Sequence, residues 1–504
     1  MPIDPRIPVL IGAGQVVRHW RGMADGKAPS PQDLRAEAAR RALSDSGAGE
    51  AVAGSIDRIA VIRTMADSVP DAPQPFGRSA NPPGALAAAL GLKPRQVVYS
   101  HVGGDQPQAL VNEAAEALFA GDIDCALIVG SEATAAAKIA MRAGLALDWT
   151  DARGSGDVFE DRGYGPRLTT PAELAVGLGA PVRTYPLFEH ALRSRLGRSR
   201  GEHRAEMSAL WADFAEVAAA NPFAQFPTAR SADFLSTASA ENYPISDPYL
   251  KWDVAQDAVN QGAAVVLATT GLADRLGIPA KRRVYLTGYA EASDLAVSER
   301  NDLSRSPPME RALAQALAVA GLEARALDLI DLYSCFPCAV LLAAEALEIA
   351  QGSRPLTVTG GLPFFGGPGN SYSLHAIAEM VTRLRGRSGA TGLVLANGGF
   401  LSKQAVGIYA ADAPPAWRPI PRRDPGNALV ELAEPVGAAL VETYTIAWNK
   451  GAPSSAIVFA RAADGRRIMA QSRQRACIET MIERDPIGRP VYFDMAEPVG
   501  WTLG

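Results

Sequence analysis

Gln96-Val97-Val98-Tyr99-Ser100-His101-Val102-Gly103-Gly104 enters a helix through Pro107, and Leu356-Thr357-Val358-Thr359 leads through Gly366-Gly367-Pro368-Gly369 into a helix holding His375 and Met380. The likeness of these two stretches decides the fold. Each sets a Gly-rich turn before a helix N-terminus, where free N–H groups and the positive end of the dipole suit an electron-rich oxygen. Either one alone reads as an ordinary tight turn.

Outward from these turns the chain alternates short apolar runs with helical periodicity. Pro8 to Gly14 reads as a buried strand leaving into a Gly turn, and Pro31 to Leu43 follows as a helix with an early Asp33. Strand-like runs at Ile56–Ile62, Val97–Ser100 and Cys125–Val129 are separated by helical stretches at Gly84–Leu90 and Pro107–Phe119. The second half repeats this with strands at Val284–Gly288, Leu327–Leu332, Gly392–Leu395 and Ala405–Tyr409, and helices at Pro308–Ala320 and after Phe336. Such alternation predicts an α/β fold with a largely parallel sheet covered on both faces. From about Ala133 to Tyr249, before strand character returns at Gly262–Leu267, loops rich in Gly, Pro and Arg surround one long helix, Glu202–Ala220, and read as an insertion.

Past the linker-like Asp412-Ala413-Pro414-Pro415 the pattern changes to strands at Ala438–Ile446, Ser455–Arg461 and Arg467–Ala470, which predicts a small β domain, a barrel of OB-like type. At 504 residues the chain exceeds a single core, and two or three domains are expected. Hydrophobic residues make up 48% and charged residues 20%, an ordinary globular balance that gives no sign of disorder. The net charge of −5, with Lys and Arg scattered, lacks the basic footprint that nucleic acid requires. No apolar run reaches the about 18 residues of a membrane span, and Met1-Pro2-Ile3-Asp4-Pro5 shows no export signal. Four cysteines, Cys125, Cys335, Cys338 and Cys477, fit a reduced cytoplasmic setting; Cys335 and Cys338 form a C-x-x-C without the second pair a zinc site needs, so no metal is expected.

Several local sequences carry a resemblance. Gly121-Asp122-Ile123-Asp124-Cys125-Ala126-Leu127-Ile128-Val129-Gly130-Ser131-Glu132 is similar to the run that ends the strand before the thiolase insertion, and Asn260-Gln261-Gly262-Ala263-Ala264 to the return from it. Asp331-Leu332-Tyr333-Ser334-Cys335-Phe336-Pro337 is similar to the "HDCF" stretch of sterol-carrier-type thiolases. Gly360 to Pro368 matches the register of their Gly-His-Pro segment, and Ala396-Asn397-Gly398-Gly399 that of their Cys-x-Gly segment. In this order, over nearly the whole chain, the set resembles the thiolase superfamily, in particular acetyl-CoA acetyltransferase-like proteins of its type-1 thiolase-like branch with an added C-terminal domain.

That resemblance implies a thiolase fold divided as 1–132 with 250–275, an insertion at 133–249, a second half at 276–411 and the added domain at 412–504. It also implies acyl-CoA as ligand or substrate in lipid metabolism, C–C bond formation or cleavage, and no covalently bound cofactor. Thiolases dimerise across the sheet edge of the first half; an added domain over that surface would leave a monomer. The registers of the usual nucleophilic cysteine, activating histidine and second cysteine fall on Gly103, Gly367 and Ala396, and Tyr333 stands where a His or Asn usually holds the thioester oxygen, so the ordinary Claisen route has no side chains here.

Two readings remain: an altered acyltransferase, or a non-catalytic acyl-CoA binding protein or scaffold. The catalytic candidates left are His375, His101 and Cys335; those for binding are Gly103, Gly104, Tyr333, Gly366, Gly367, Asn370, Asn397, Gly398 and Gly399. Tyr372 could also orient an acyl carbonyl, and Lys403 or the insertion's Arg153, Arg162, Arg167 and Arg183 could meet a CoA phosphate. Replacing two side chains by glycine is expected to enlarge the cavity for a bulkier acyl group.

Overall fold

A computed structural model describes residues 3–151, 158–421, 429–493 and 500–504. The first half contributes β1 (Pro8–Val17), β2 (Arg58–Val61), β3 (Gln96–Tyr99) and β4 (Cys125–Ala133). The insertion contributes β5 (Val158–Asp161), β6 (Pro244–Asp247) and β7 (Tyr249–Leu250), and β8 (Asn260–Thr269) returns to the first half. The second half supplies β9 (Val284–Ser293), β10 (Leu329–Asp331), β11 (Thr391–Gly398) and β12 (Lys403–Ala410). The C-terminal part supplies β13 (Leu432–Ala433), β14 (Gly437–Asn449), β15 (Ala452–Ala462), β16 (Arg467–Ser472), β17 (Pro490–Phe493) and β18 (Trp501–Leu503).

One ten-stranded sheet runs β10-β11-β12-β9-β1-β8-β4-β2-β3-β5. Its halves meet where β1 pairs with β9 through Val9–Tyr285 and Leu10–Val284. The expectation of a largely parallel sheet fails: five of the nine neighbouring pairs are antiparallel. The connections explain this, because β11 and β12 are joined by a turn too short for a parallel crossover, and β8 comes back from the insertion running against both β4 and β1. The central strands β4, β8 and β12 are buried at every position, as their unbroken apolar runs require when helices cover both faces.

Glycine sets the helix-to-sheet distance alike in both halves. A Cβ on Gly12 or Gly14 of β1 would overlap the main chain of the helix Pro31–Asp45, and one on Gly288 of β9 that of the helix Pro307–Ala320. The first of these helices begins at a capping box in which Ser30 and Asp33 satisfy each other's backbone N–H groups. Two further helices, Gln106–Ala120 and Tyr372–Leu384, pack against strands of both halves, so the turns that precede them lie on the join.

The insertion is built on the helix Arg200–Ala220, capped by Ser199 and Glu202. It reaches two sheets. β5 pairs in parallel outside β3, with Val97 opposite Phe159, so a strand of the insertion covers the edge of the first half. β6 pairs with β14, Asp247 opposite Ile446, and so joins the insertion to the C-terminal sheet. That eight-stranded sheet follows β13-β16-β15-β14-β17-β18 with β6 and β7 off the path, and the helix Arg475–Glu483 packs on β15 and β18. Among the described residues no pairing joins β13 to β18, so the closed barrel expected is not established. No helix among the described residues is long and apolar enough to cross a membrane.

Candidate active site

The turn before the helix Gln106–Ala120 needs glycine, since Gly103 has φ +146°, outside the range of ordinary L residues. The partner turn needs it too, at Gly366 with φ +120° and Gly369 with φ +53°. Asn370 ties the turns together. Its Oδ1 accepts from Gly103 N at 3.1 Å, while its Nδ2 donates to Arg63 O at 2.8 Å and Ser68 Oγ at 2.9 Å. Ser373 Oγ adds a bond to Gly104 O at 3.3 Å. The two mirrored helix ends therefore touch.

The space between them is filled from within. A Cβ on Gly103 would overlap Asp105 Oδ1 and lie 2.6 Å from Lys403 Nζ; one on Gly104 would overlap the Tyr333 hydroxyl; one on Gly398 would overlap Asp105 again. Asp105 is the residue ahead of the helix, so its carboxylate sits by the positive end of the dipole where a ligand oxygen was expected. Lys403 answers it at 3.3 Å and donates to Val102 O at 2.5 Å; both side chains are buried. Lys403 is thus committed to this pair and is not a phosphate contact. The glycines do not open a larger cavity beside Gly103 and Gly104: they make room for the chain's own acid, amine and phenol.

Tyr185, from the insertion helix Pro181–Arg195, closes the centre from the other side. Its hydroxyl donates to Gly399 O at 3.1 Å and accepts from Asn397 Nδ2 at 3.1 Å and Leu401 N at 3.3 Å, while its ring stacks on Phe336 with centroids 4.1 Å apart. Cys335 lies against this group, its Sγ 3.9 Å from Asn397 Nδ2. Burial pushes the Cys335 thiol up to about 12, outweighing the bonds from Tyr185, the backbone and Asn397 that favour its thiolate.

Other candidates lie elsewhere. His375 is fully buried, with Nδ1 2.9 Å from Gln15 Oε1 on β1, and burial lowers its imidazole to about 3. Its Nε2 has no partner and its ring packs on Phe365 at 5.0 Å. His101 packs under Gly165 of the insertion with its Nδ1 unpartnered. Gly367 backs onto Ala255 and Gln256, and Gly399 onto Leu168, so neither faces Gly103.

Tyr372 is engaged by the buried Asp331 and Thr359 and does not point an open hydroxyl at a ligand. The same Asp331 takes the N–H groups of Val358 and Thr359, which is why 356–359 forms no strand: its donors are already satisfied. Cys338 meets the Tyr249 hydroxyl through its Sγ and the Glu189 carboxylate through its backbone N–H. Arg162 is paired with Glu113 and Glu160, and Arg153 lies outside the described residues.

Sequence reading alone does not single out one open feature beside the second turn. A groove of about 610 Å³ is lined by Thr228, Arg230, Phe234, Glu241, Lys251 and Trp252, among others. The Arg230 guanidinium lies 3.6 Å over the Trp252 ring and Lys251 Nζ 4.9 Å from it. Trp252 stacks in turn on Phe364, two residues before Gly366. The signal available in sequence was the Arg230…Lys251-Trp252 combination in the insertion's last stretch.

The join of two mirrored halves at paired glycine turns is the architecture of the thiolase superfamily, and solved structures agree. The dimeric peroxisomal thiolase of Saccharomyces cerevisiae superposes with a TM-score of 0.57 at 16% identity, covering 81% of this chain and 98% of that one, a likeness of fold alone. A monomeric SCP2-thiolase like protein type 1 from Mycobacterium smegmatis superposes with a TM-score of 0.83 at 33% identity over 100% of both chains. Residues 424–497 match the family model for the thiolase-like protein type 1 additional C-terminal domain. This chain therefore belongs to the SCP2-thiolase-like protein type 1 family. An acetyl-CoA acetyltransferase of Methanothermobacter thermautotrophicus is 26% identical over 223 residues, 41% of this chain, which spans 56% of that relative's length.

Proposed function

We propose that this protein binds acyl-CoA on a thiolase scaffold and does not carry out cysteine-based acyl transfer at its own centre. The groove beside Phe364 carries the reading: the Arg230 guanidinium laid over the buried Trp252 indole, with the Lys251 ammonium beside it, offers a planar cation for an adenine ring to stack on and charge for its phosphates, and the groove lies beside the second glycine turn. A binding role fits the centre better than turnover, because the Cys335 thiol is held protonated and His375 is kept neutral by burial and bonded to Gln15. β5 over the β3 edge supports a monomer.

Calorimetry with CoA and acetyl-CoA tests the proposal. Saturable binding is expected, weakened about tenfold by Trp252→Ala or Arg230→Ala as a stacking or charge contact is lost. Absence of saturable binding would overturn it. Turnover of 3-ketoacyl-CoA plus CoA, abolished by Cys335→Ala, would instead establish the acyltransferase reading.

A further inference from the structure

A second cavity lies across the Gly369 turn from this centre. It encloses about 110 Å³, far more than the ~10–15 Å³ that one water requires, between the helix Pro31–Asp45, the loop 64–79 and the end of β4. Arg35 stands in its wall, 3% exposed. Its guanidinium donates to Gln32 Oε1 at 3.1 Å and Pro82 O at 3.5 Å, forms no ion pair among the described residues, and leaves Nε with no partner. A cation buried this way is normally matched by an anion in direct contact, whereas here Asp151, Asp67 and Glu132 act on it only across the cavity.

Inside a rim where Arg78 pairs with Asp67 at 3.9 Å, the titratable lining is acidic, although burial raises the Glu132 carboxyl to about 8 and so keeps it neutral near pH 7. Asp67, Glu132 and Asp151 face the same space; Asp151 Oδ2 is buried without a partner, and so is Ser79 Oγ. Asp67 is held by the Tyr99 hydroxyl at 2.6 Å and Glu132 by Met65 N at 2.7 Å, so these carboxyls are fixed in place. Trp149, Ala133, Ala137 and Pro82 supply an apolar wall, and Gln32, Gln74 and Arg78 form the half-exposed to exposed rim.

We infer that this cavity is a binding site for a small zwitterion of the α-amino acid class, its carboxylate on Arg35, its ammonium on Asp151 and Asp67, and a short side chain against Trp149. A simple anion would leave Asp151 unmatched and stand beside Asp67; a simple cation would leave Arg35 without a direct partner. Only a ligand carrying both charges satisfies both.

The test is calorimetry on the full chain with L-alanine, propionate and ethylamine as separate probes. L-Alanine is expected to bind saturably, with either single-charge probe weaker by about tenfold or more, the loss expected for one charge-assisted contact. Arg35→Met and Asp151→Asn are each expected to weaken L-alanine by a similar factor. Asp151 lies half-exposed on a loop, so that variant decides the matter if Arg35→Met does not fold. The proposal is overturned if none of the probes binds, leaving a cavity filled by water only, if propionate matches L-alanine, or if Asp151→Asn binds L-alanine as the parent does.

Discussion

At Cys335 two effects compete. Hydrogen bonds from Tyr185, the backbone and Asn397 favour a thiolate, whereas full burial disfavours it and wins, leaving the thiol at about 12. Near neutral pH the reactive thiolate is then a trace species. All four cysteines are buried. An aromatic disulfide reagent at about pH 8 is expected to label essentially none of them in the folded chain and all four after unfolding in guanidinium. Prompt labelling of Cys335 in the folded chain would contradict the burial described here. At this scale the sequence was partly legible: Gly103, Gly104, Tyr333, Cys335, Asn370, Asn397 and Gly398 do converge, since their placement follows from strand ends and helix starts. Asp105 and Tyr185 were not foreseen. One is a short side chain that could equally have faced solvent, and the other arrives from a helix distant in sequence.

Among the elements, close approach of helix to sheet is the sharpest constraint. Gly14 has the main chain of Ala38 and Ala42 where its Cβ would stand, and backbone in a covered helix has nowhere to retreat. Gly14→Ala is expected to destabilise the protein by about 1–3 kcal/mol, the usual range for overpacking, seen as a lower melting temperature. Gly201, in the helix Arg200–Ala220, meets nothing within 4 Å, and Gly201→Ala is expected to be neutral or to stabilise by up to about 1 kcal/mol. Equal effects at the two sites would refute the packing explanation. The helices themselves were readable from periodicity and caps: Pro31 to Leu43 was expected and Pro31–Asp45 is found, and the expected Glu202–Ala220 is found as Arg200–Ala220. Strand direction was not, because a buried apolar run looks the same whichever way its neighbour points.

Across the whole molecule the C-terminal sheet docks on the insertion through buried polar contacts. His190 stacks on Tyr444 with centroids 4.0 Å apart and meets Asp247 Oδ2 at 3.2 Å; Arg200 donates to the Tyr444 hydroxyl at 2.8 Å and to Met481 O at 2.6 Å. Burial alone would raise the Asp247 carboxyl, but the bond and charge of His190, with Arg200 and Tyr444, outweigh it and bring it to about 2 from 3.8. A depressed carboxyl stabilises the folded state wherever it is ionised, above 3.8, and that contribution fades as pH falls from 3.8 toward about 2. Between about pH 4.5 and pH 2.5 the parent's melting temperature is therefore expected to fall more steeply than that of Asp247→Asn. Parallel curves would show that this carboxylate does not clamp the domain.

From its residues alone this chain declared two repeated halves, an insertion and an added β-rich domain. Those features are carried by periodicity, by glycine placement and by residue type, all local in sequence. Tertiary structure alone decided that Lys403, Asp105 and Tyr185 fill the centre, that His375 faces Gln15, that β5 covers the sheet edge and that Arg35 stands unpaired beside a cavity. Each of these depends on which distant segments share a volume, and burial, ion pairing and the shift of a titrating group exist only once that volume is closed.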